Sequence, residues 1–304
     1  MADILQILNS HYPMRFTRAE FLREGGNTSY AVFAGSEKYF LRVIKPMYIE
    51  GAVQGADIQA FLGERGFPVP PILFTEDHAL YVSGSGPEGK QLYILYEFIE
   101  GGGADPERDA EALGALVGRL HRTMKDYPGA LVEHGRHCYI GKYIGILREK
   151  QYPRTDEFAA YGEALWEKVR DLPRGYCHGD MYDGNFHKTP GGEIYVLDFD
   201  TSGEGVPIFD PALICNKTHY FKFHRNGYAR TRRVFERFLP EYLKHSPLSQ
   251  AEIDAFYDMI ALYRFALQAR VIEDNGIDCV DDAFLDRQLD WLYRWRKQCG
   301  RNQS

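Results

Sequence analysis

The 304-residue sequence carries 43 acidic and 36 basic side chains, a formal net charge of −7, with 44% hydrophobic and 26% charged residues. That length has room for two lobes, each with its own core, and the balanced composition excludes a disordered chain, a collagen-like repeat and a coiled coil. The acidic excess argues against a nucleic-acid partner, whose phosphate backbone selects a basic face.

At the start of the chain Ile4, Leu5, Ile7 and Leu8 have helical spacing. Asp3 precedes them, and neither a basic segment nor a long apolar one follows, so the stretch does not read as a signal peptide. No run approaches the roughly 18 apolar residues of a membrane helix, so no membrane partner is expected. Cys138, Cys177, Cys215, Cys279 and Cys299 are odd in number and contain no CxxC pair. They read as reduced packing residues of a cytoplasmic protein.

The first third is punctuated as a β-meander. Phe16 to Arg23 alternates up to a turn at Glu24–Asn27, and Tyr30–Ala34 and Tyr39–Ile44 flank Gly35-Ser36. Glu50 to Arg65 has helical spacing through Val53, Ile58, Phe61 and Leu62, stopped by Gly66, Pro68 and Pro70. A second hairpin is predicted from Ala79–Ser83 and Gln91–Phe98 around a turn at Gly84–Gly89. After Glu100-Gly101-Gly102-Gly103 the texture becomes helical. Asp105-Pro106 reads as an N-cap with proline at the first helical position, before an apolar face of Leu113, Leu116, Val117 and Leu120. Ser249-Gln250-Ala251-Glu252 reads as a capping box opening a long helix towards Ile272, and Asp281–Gln298 as a terminal helix. The expected fold class is therefore α+β, with a β-rich lobe over residues 1–98 and a mainly helical lobe over residues 99–304.

One segment carries chemistry: His178-Gly179-Asp180-Met181-Tyr182-Asp183-Gly184-Asn185, then a Pro190-Gly191-Gly192 turn and Val196-Leu197-Asp198-Phe199-Asp200. A carboxylate and an amide on a loop, followed by two carboxylates at a strand end, match the needs of phosphoryl transfer. That reaction asks for a carboxylate near the acceptor hydroxyl and oxygen ligands for Mg2+ on the nucleotide phosphates. Hard Mg2+ prefers such oxygens to sulfur or imidazole. Asp180 is the natural base, and Asn185 and Asp198 are the natural metal ligands.

His178-Gly-Asp180 with Asn185, followed by Asp198-Phe199-Asp200, resembles the catalytic and metal-binding motifs of the aminoglycoside phosphotransferase and choline kinase family. That family has a two-lobed protein-kinase-like fold. The resemblance extends to Gly25-Gly26-Asn27-Thr28-Ser29 as a nucleotide-covering turn, Tyr39–Val43 as the third strand and Leu95–Gly101 as the hinge. It also covers Gly66–Pro70, Leu113–His121 and Phe209-Asp210-Pro211, so it spans roughly residues 20 to 215. It implies a Mg2+-dependent kinase that moves the γ-phosphoryl of ATP or GTP to a small-molecule hydroxyl. Gly26, Asn27, Ser29 and Arg42 would meet the nucleotide phosphates, and backbone groups at Glu97, Phe98 and Ile99 the adenine. His178 and Asp210 would brace the loop, and Asp183 would be a solvated turn residue. Asp200 would either share Mg2+ or orient Asp198. A protein serine/threonine kinase of the same fold, or a pseudokinase acting as a nucleotide-binding module, are the alternatives.

Two departures from that pattern stand out. Arg42 occupies the place of the family's phosphate-binding lysine; Lys45 is near, but strand alternation turns it to the other face. The helical glutamate that would hold this cation falls near Gly55, with Asp57 and Glu50 as imperfect substitutes. On the acceptor side, seven acids lie between Glu273 and Asp290. They read first as a solvated loop and helix N-terminus. Glu273, Asp274 and Asp278 are also the candidates for binding a cationic acceptor. The aromatic run His219, Tyr220, Phe221, Phe223, Tyr228 and Phe235 reads as core before it reads as a cage for a quaternary ammonium.

Overall fold

The computed structural model describes residues 2–86 and 89–300. The chain divides into two compact units. The first comprises the chain through Ala104 together with Gly184–Ser202, and the second Asp105–Asp183 with the residues from Gly203 onwards.

In the first unit, helix α1 (Ala2–His11) precedes strands β1 (Arg18–Glu24), β2 (Thr28–Ala34) and β3 (Glu37–Ile44). Helix α2 (Ile49–Glu64) follows, then β4 (Val82–Gly86) and β5 (Gly89–Glu97). The five strands form one antiparallel sheet in the order β1-β2-β3-β5-β4. Its register places Ser29 opposite Arg42 and Arg42 opposite Ile94. Because side chains alternate along a strand, the sheet feeds two apolar layers. Leu8, Phe16, Val32, Leu41 and Leu95 pack on one side. Ile44, Leu92, Ile94 and Tyr96 meet Ala52 and Ala56 of α2 on the other.

The second hairpin is tighter than its glycines suggest. Gly84 pairs with Gln91 and Gly86 with Gly89, so β4 consumes half of the expected turn. The turn residues Pro87 and Glu88 lie outside the described residues. Gly102–Gly103 pair with Phe186–Lys188, which pair in turn with Ile194–Val196. Gly101 has φ 148°, and a β carbon there would meet the carbonyl of Lys188, so glycine is required on both counts.

The second unit is helical: α3 (Ala110–Met124), α4 (Lys142–Glu149), α5 (Thr155–Val169), α6 (Phe209–Cys215), α7 (Gly227–Leu243), α8 (Gln250–Asp254), α9 (Phe256–Asn275) and α10 (Asp282–Gly300). Its small sheet joins Val132–Glu133, Gly203–Gly205 and Gly175–Cys177. Helix α3 begins later than Asp105-Pro106 suggests. The Asp105 carboxylate instead closes its own turn, accepting from Glu107 N at 2.9 Å and Arg108 Nε at 2.7 Å. Ser249 and Glu252 do form the capping box, but the helix they open is broken at Ala255 into α8 and α9. All five cysteines are free thiols, with Cys177, Cys215 and Cys299 buried. Among the described residues no helix is long and apolar enough to cross a membrane.

Candidate active site

In the second unit, the loop bearing Asp180 leaves the strand Gly175–Cys177 and is fixed from beneath by Asp210 at the start of α6. Asp210 is fully buried. It accepts from His178 N at 2.7 Å, Gly179 N at 3.0 Å and His121 Nε2 at 2.9 Å. The Tyr242 hydroxyl lies 2.7 Å from His121 Nδ1 on the far side of the ring. Burial alone would push the Asp210 carboxyl up. The His121 hydrogen bond, the neighbouring histidines and the loop N–H groups more than offset it, so the group sits below the ordinary carboxylate range. Gly179 has φ 84°, a conformation that turns the chain at Asp180.

His178 is fully buried, and its Nδ1 lies 3.4 Å from Asp180 N, so the ring sits against the loop backbone. Asp183 is bound to Lys217 Nζ through both carboxylate oxygens, at 3.0 and 3.2 Å. It is therefore tethered as well as exposed. Tyr263 on α9 also lies within electrostatic reach of this loop. Burial raises its phenol, and the Asp180 charge raises it further, with Tyr182 and Tyr220 also within electrostatic reach. Its aromatic spacing within a long helix is indistinguishable from core in sequence.

In the first unit, Asn185 is buried, and its carbonyl accepts from Leu197 N at 2.9 Å, which ties it to the strand end that delivers Asp198. Asp198 itself is left-handed, at φ 62° and ψ 72°. Behind it Phe199–Thr201 make a single helical turn. Arg42 projects from β3 onto these carboxylates. Its Nη2 lies 2.7 Å from Asp200 Oδ2 and 3.2 Å from Asp198 Oδ1, and its Nη1 lies 3.1 Å from Asp200 Oδ1. Burial would lower the guanidinium, but the charges of Asp198 and Asp200 hold it well above its ordinary value. Tyr96 on β5 accepts from Arg42, and burial pushes its phenol up to about 12.

The expected helical counter-ion does not reach Arg42. Glu50 and Asp57 are exposed. At Gly55 a β carbon would stand 2.9 Å from Asp200 Oδ1 and 3.1 Å from Asp200 N, and at Gly51 it would collide with the Asp200 carbonyl. The Gly51–Gly55 pair, one helical turn apart, thus seats α2 directly on the Asp198–Asp200 turn. Gln54 Nε2 adds a bond to Ser202 O at 3.1 Å. The glycine spacing is visible in the sequence, but its target is not.

Around the glycine turn, Asn27 Oδ1 accepts from Lys45 N at 3.1 Å, and Lys45 Nζ pairs with Glu24 at 3.1 Å, away from Arg42's partners. Gly26 packs against the Tyr48 ring, where a β carbon would lie 3.3 Å away, and Ser29 is buried on β2 beside Arg42. Glu97 N is taken by Pro71 O at 2.9 Å. Phe98 carries Lys38 Nζ over its ring at 3.5 Å, and Ile99 is half-buried.

These residues fit Mg2+ bound together with phosphate. Asp198 is 37% exposed at its side chain, and the bond from Leu197 N to the Asn185 carbonyl ties together the two segments that carry these residues, so the candidate ligands are a carboxylate and an amide, without sulfur or imidazole. Among the described residues there is no cluster of three or more His, Cys, Asp or Glu able to hold a metal alone. Mg2+ characteristically takes one or two protein oxygens and completes its shell with phosphates and water.

Of the acceptor candidates, Glu273 lies 3.5 Å from Lys142, Asp274 pairs with Arg270 at 2.9 Å, and Asp278 is exposed in a single turn before α10. Asp286 and Asp290 pair with Arg154 and Arg294. Of the aromatic run, Tyr228 and Phe235 are buried and Phe221 is 58% exposed. Arg264 on α9 lies beneath this run. It donates to Gln288 Oε1 at 3.0 Å and to the carbonyls of His219 and Tyr220, and it covers the Trp291 ring at 3.9 Å. With no carboxylate among these partners, burial pushes it down to about 9.

Comparison with known proteins bears on the fold and the family. A relative from Deinococcus radiodurans of undescribed function is 26% identical, covering 97% of this chain and 89% of its own. Among solved structures, an amicoumacin kinase in complex with AMP-PNP and Ca2+ superposes with a TM-score of 0.74 at 21% identity, covering 98% of this chain and 92% of that one. A microcompartment-associated aminopropanol kinase gives 0.69 at 18% identity, covering 98% and 95%. These likenesses show the two-lobed protein-kinase-like fold. The profile of the phosphotransferase enzyme family matches residues 19–248, which include Arg42, Asp180, Asn185, Asp198 and Asp210, and the chain belongs to that family.

Proposed function

We propose that this protein is a cytoplasmic kinase that transfers the γ-phosphoryl group of a nucleoside triphosphate to a hydroxyl of a small molecule. The observation that carries the reading is the Arg42–Asp198–Asn185 group, in which a buried guanidinium meets a partly exposed carboxylate whose strand end is bonded to the backbone of Asn185. Guanidinium grips phosphate bidentately, and the two oxygens suit Mg2+. Asp180 takes the proton of the acceptor hydroxyl as its oxygen bonds to the γ-phosphorus. The bond from that phosphorus to the bridging oxygen breaks, and the nucleoside diphosphate leaves. Asp210 holds the Asp180 loop, and Arg42 with the Gly26–Ser29 turn positions the phosphates. Mg2+, when bound at Asn185 and Asp198, neutralises phosphate charge during transfer.

The acceptor is a small molecule, and amine-bearing alcohols merit the first test, since the solved relatives include an aminopropanol kinase. Glu273 and Asp274 are already paired with basic side chains, which leaves Asp278 as the better-placed acid of the three for a cationic acceptor. The test is nucleotide consumption across amino alcohols, aminoglycosides, sugars and amino acids, with ATP and GTP compared. Turnover with one acceptor class, lost in Asp180→Asn, supports the reading. Nucleotide binding without turnover on any acceptor would favour a nucleotide-binding module.

A further inference from the structure

The two carboxylates of the Asp198-Phe199-Asp200 segment are held differently. Asp200 engages Arg42 with both oxygens, at 2.7 and 3.1 Å, and its side chain is 15% exposed. Asp198 offers Arg42 one oxygen at 3.2 Å and is more than twice as exposed. The Asp200 backbone and carboxylate lie against Gly51 and Gly55 of α2, so closely that a β carbon at residue 55 would stand 2.9 Å from Oδ1. An acidic side chain at residue 55 and Asp200 in its present place exclude one another. Arg42 therefore draws from the Asp200 turn the fixed counter-ion that α2 lacks.

We propose that Asp200 is a positioning residue, which holds the Arg42 guanidinium ready for the nucleotide phosphates and leaves Asp198, with Asn185, as the metal-binding carboxylate. A carboxylate whose two oxygens face a planar guanidinium fork is committed in the direction a metal would need. The single bond from Arg42 to Asp198 is the one exchanged when phosphate and metal arrive. The inference rests on the kinase reading above, and it divides between two neighbouring acids the roles that sequence leaves open.

The test uses the full-length protein and two binding measurements independent of turnover. ATP binding is measured calorimetrically in EDTA, and Mn2+ binding is measured at saturating ATP by electron paramagnetic resonance. Asp200→Asn is expected to weaken metal-free ATP binding about tenfold and to leave the half-saturating Mn2+ within about twofold of the unsubstituted protein. Asp198→Asn is expected to raise the half-saturating Mn2+ at least tenfold. Arg42→Lys keeps a charge but loses the fork, and combined with Asp200→Asn it should weaken metal-free ATP binding no further than either change alone. If Asp200→Asn fails to fold, Gly55→Ala replaces it. That change keeps every proposed ligand but presses the Asp200 carboxylate aside, and the same pattern is expected. A tenfold rise of half-saturating Mn2+ in either variant, with metal-free ATP binding unchanged, overturns the assignment. Failure of the unsubstituted protein to bind ATP or GTP overturns the kinase reading instead.

Discussion

Asp198 joins a left-handed backbone to a partly exposed carboxylate, and the two features can be separated by substitution. Asparagine tolerates left-handed geometry, whereas a β-branched residue does not, at a cost of about 1–3 kcal/mol. Asp198→Asn should therefore melt within about 3 °C of the parent while losing nucleotide turnover, and Asp198→Val should lose both activity and several degrees of stability. A differential scanning fluorimetry series with parallel activity assays checks this. Equal melting of the two variants would mean that the turn relaxes at no cost. Asp210 makes a second case, through pH. Its carboxyl is lowered in the folded protein, so it contributes stability that is present above the unfolded value near pH 3.9. The contribution is lost as pH falls through the folded value. Asp210→Asn places an amide against three N–H donors and leaves His121 without its carboxylate partner. A loss of about 3–5 kcal/mol is expected near neutrality. Relative to the parent the deficit should shrink below about pH 4, when urea melts are compared across pH. A pH-independent difference would assign the cost to packing alone.

At the scale of elements, helices in this chain are positioned by glycines as much as by apolar stripes. Gly114 and Gly118 of α3, one turn apart, lie against the backbone of Phe238 and Tyr242 on α7, where added β carbons would stand 3.0 Å from Phe238 C and 3.1 Å from Tyr242 Cα. Tyr242 in turn carries the hydroxyl beside His121. Forced separation of the helices in Gly118→Ala should cost about 1–3 kcal/mol, against the roughly 1 kcal/mol that alanine ordinarily gains over glycine in a helix, so a net loss is expected. Thermal denaturation reads the sign directly, and a stabilised variant would show that the contact can yield. The same pairs mark what sequence can and cannot disclose. The meander of β1 to β3 and the extent of α2 follow from alternation and helical spacing, which are local. The start of α3 departs from the Asp105-Pro106 expectation because Asp105 caps a turn of its own, a choice that local chemistry leaves open. The break at Ala255 has no breaker residue, and the capping box alone does not foresee it. Arg42 stands out on the third strand, but its counter-ion lies 158 residues away, on a different element from the helix where the family pattern would place it. Gly55 reads in sequence as a missing acid because a sequence does not show which backbone a glycine admits.

For the molecule as a whole, the decisive fact is that neither unit is contiguous. The first unit takes in Gly184–Ser202, so the carboxylates facing Arg42 reach it from a segment far along the chain. A fragment ending at Ala104 would retain all five strands of the main sheet and α2. It would nevertheless leave Arg42 without Asp198 and Asp200, and α2 without the turn on which Gly51 and Gly55 sit. Stripping the partners from a buried charge costs about 3–5 kcal/mol, a large share of the roughly 5–15 kcal/mol that stabilises a domain. Residues 1–104 expressed alone should therefore lack cooperative thermal unfolding and show poor amide dispersion by NMR. Arg42→Leu in the same fragment removes the unpaired charge and should recover part of the cooperativity, since leucine suits the apolar surroundings of Ile94 and Ile44. A cooperative, well-dispersed parent fragment would show that the sheet is self-sufficient and that the Asp198–Asp200 turn serves function alone. Recovery by Arg42→Leu would instead place the Arg42 ion pairs at the centre of this unit's stability.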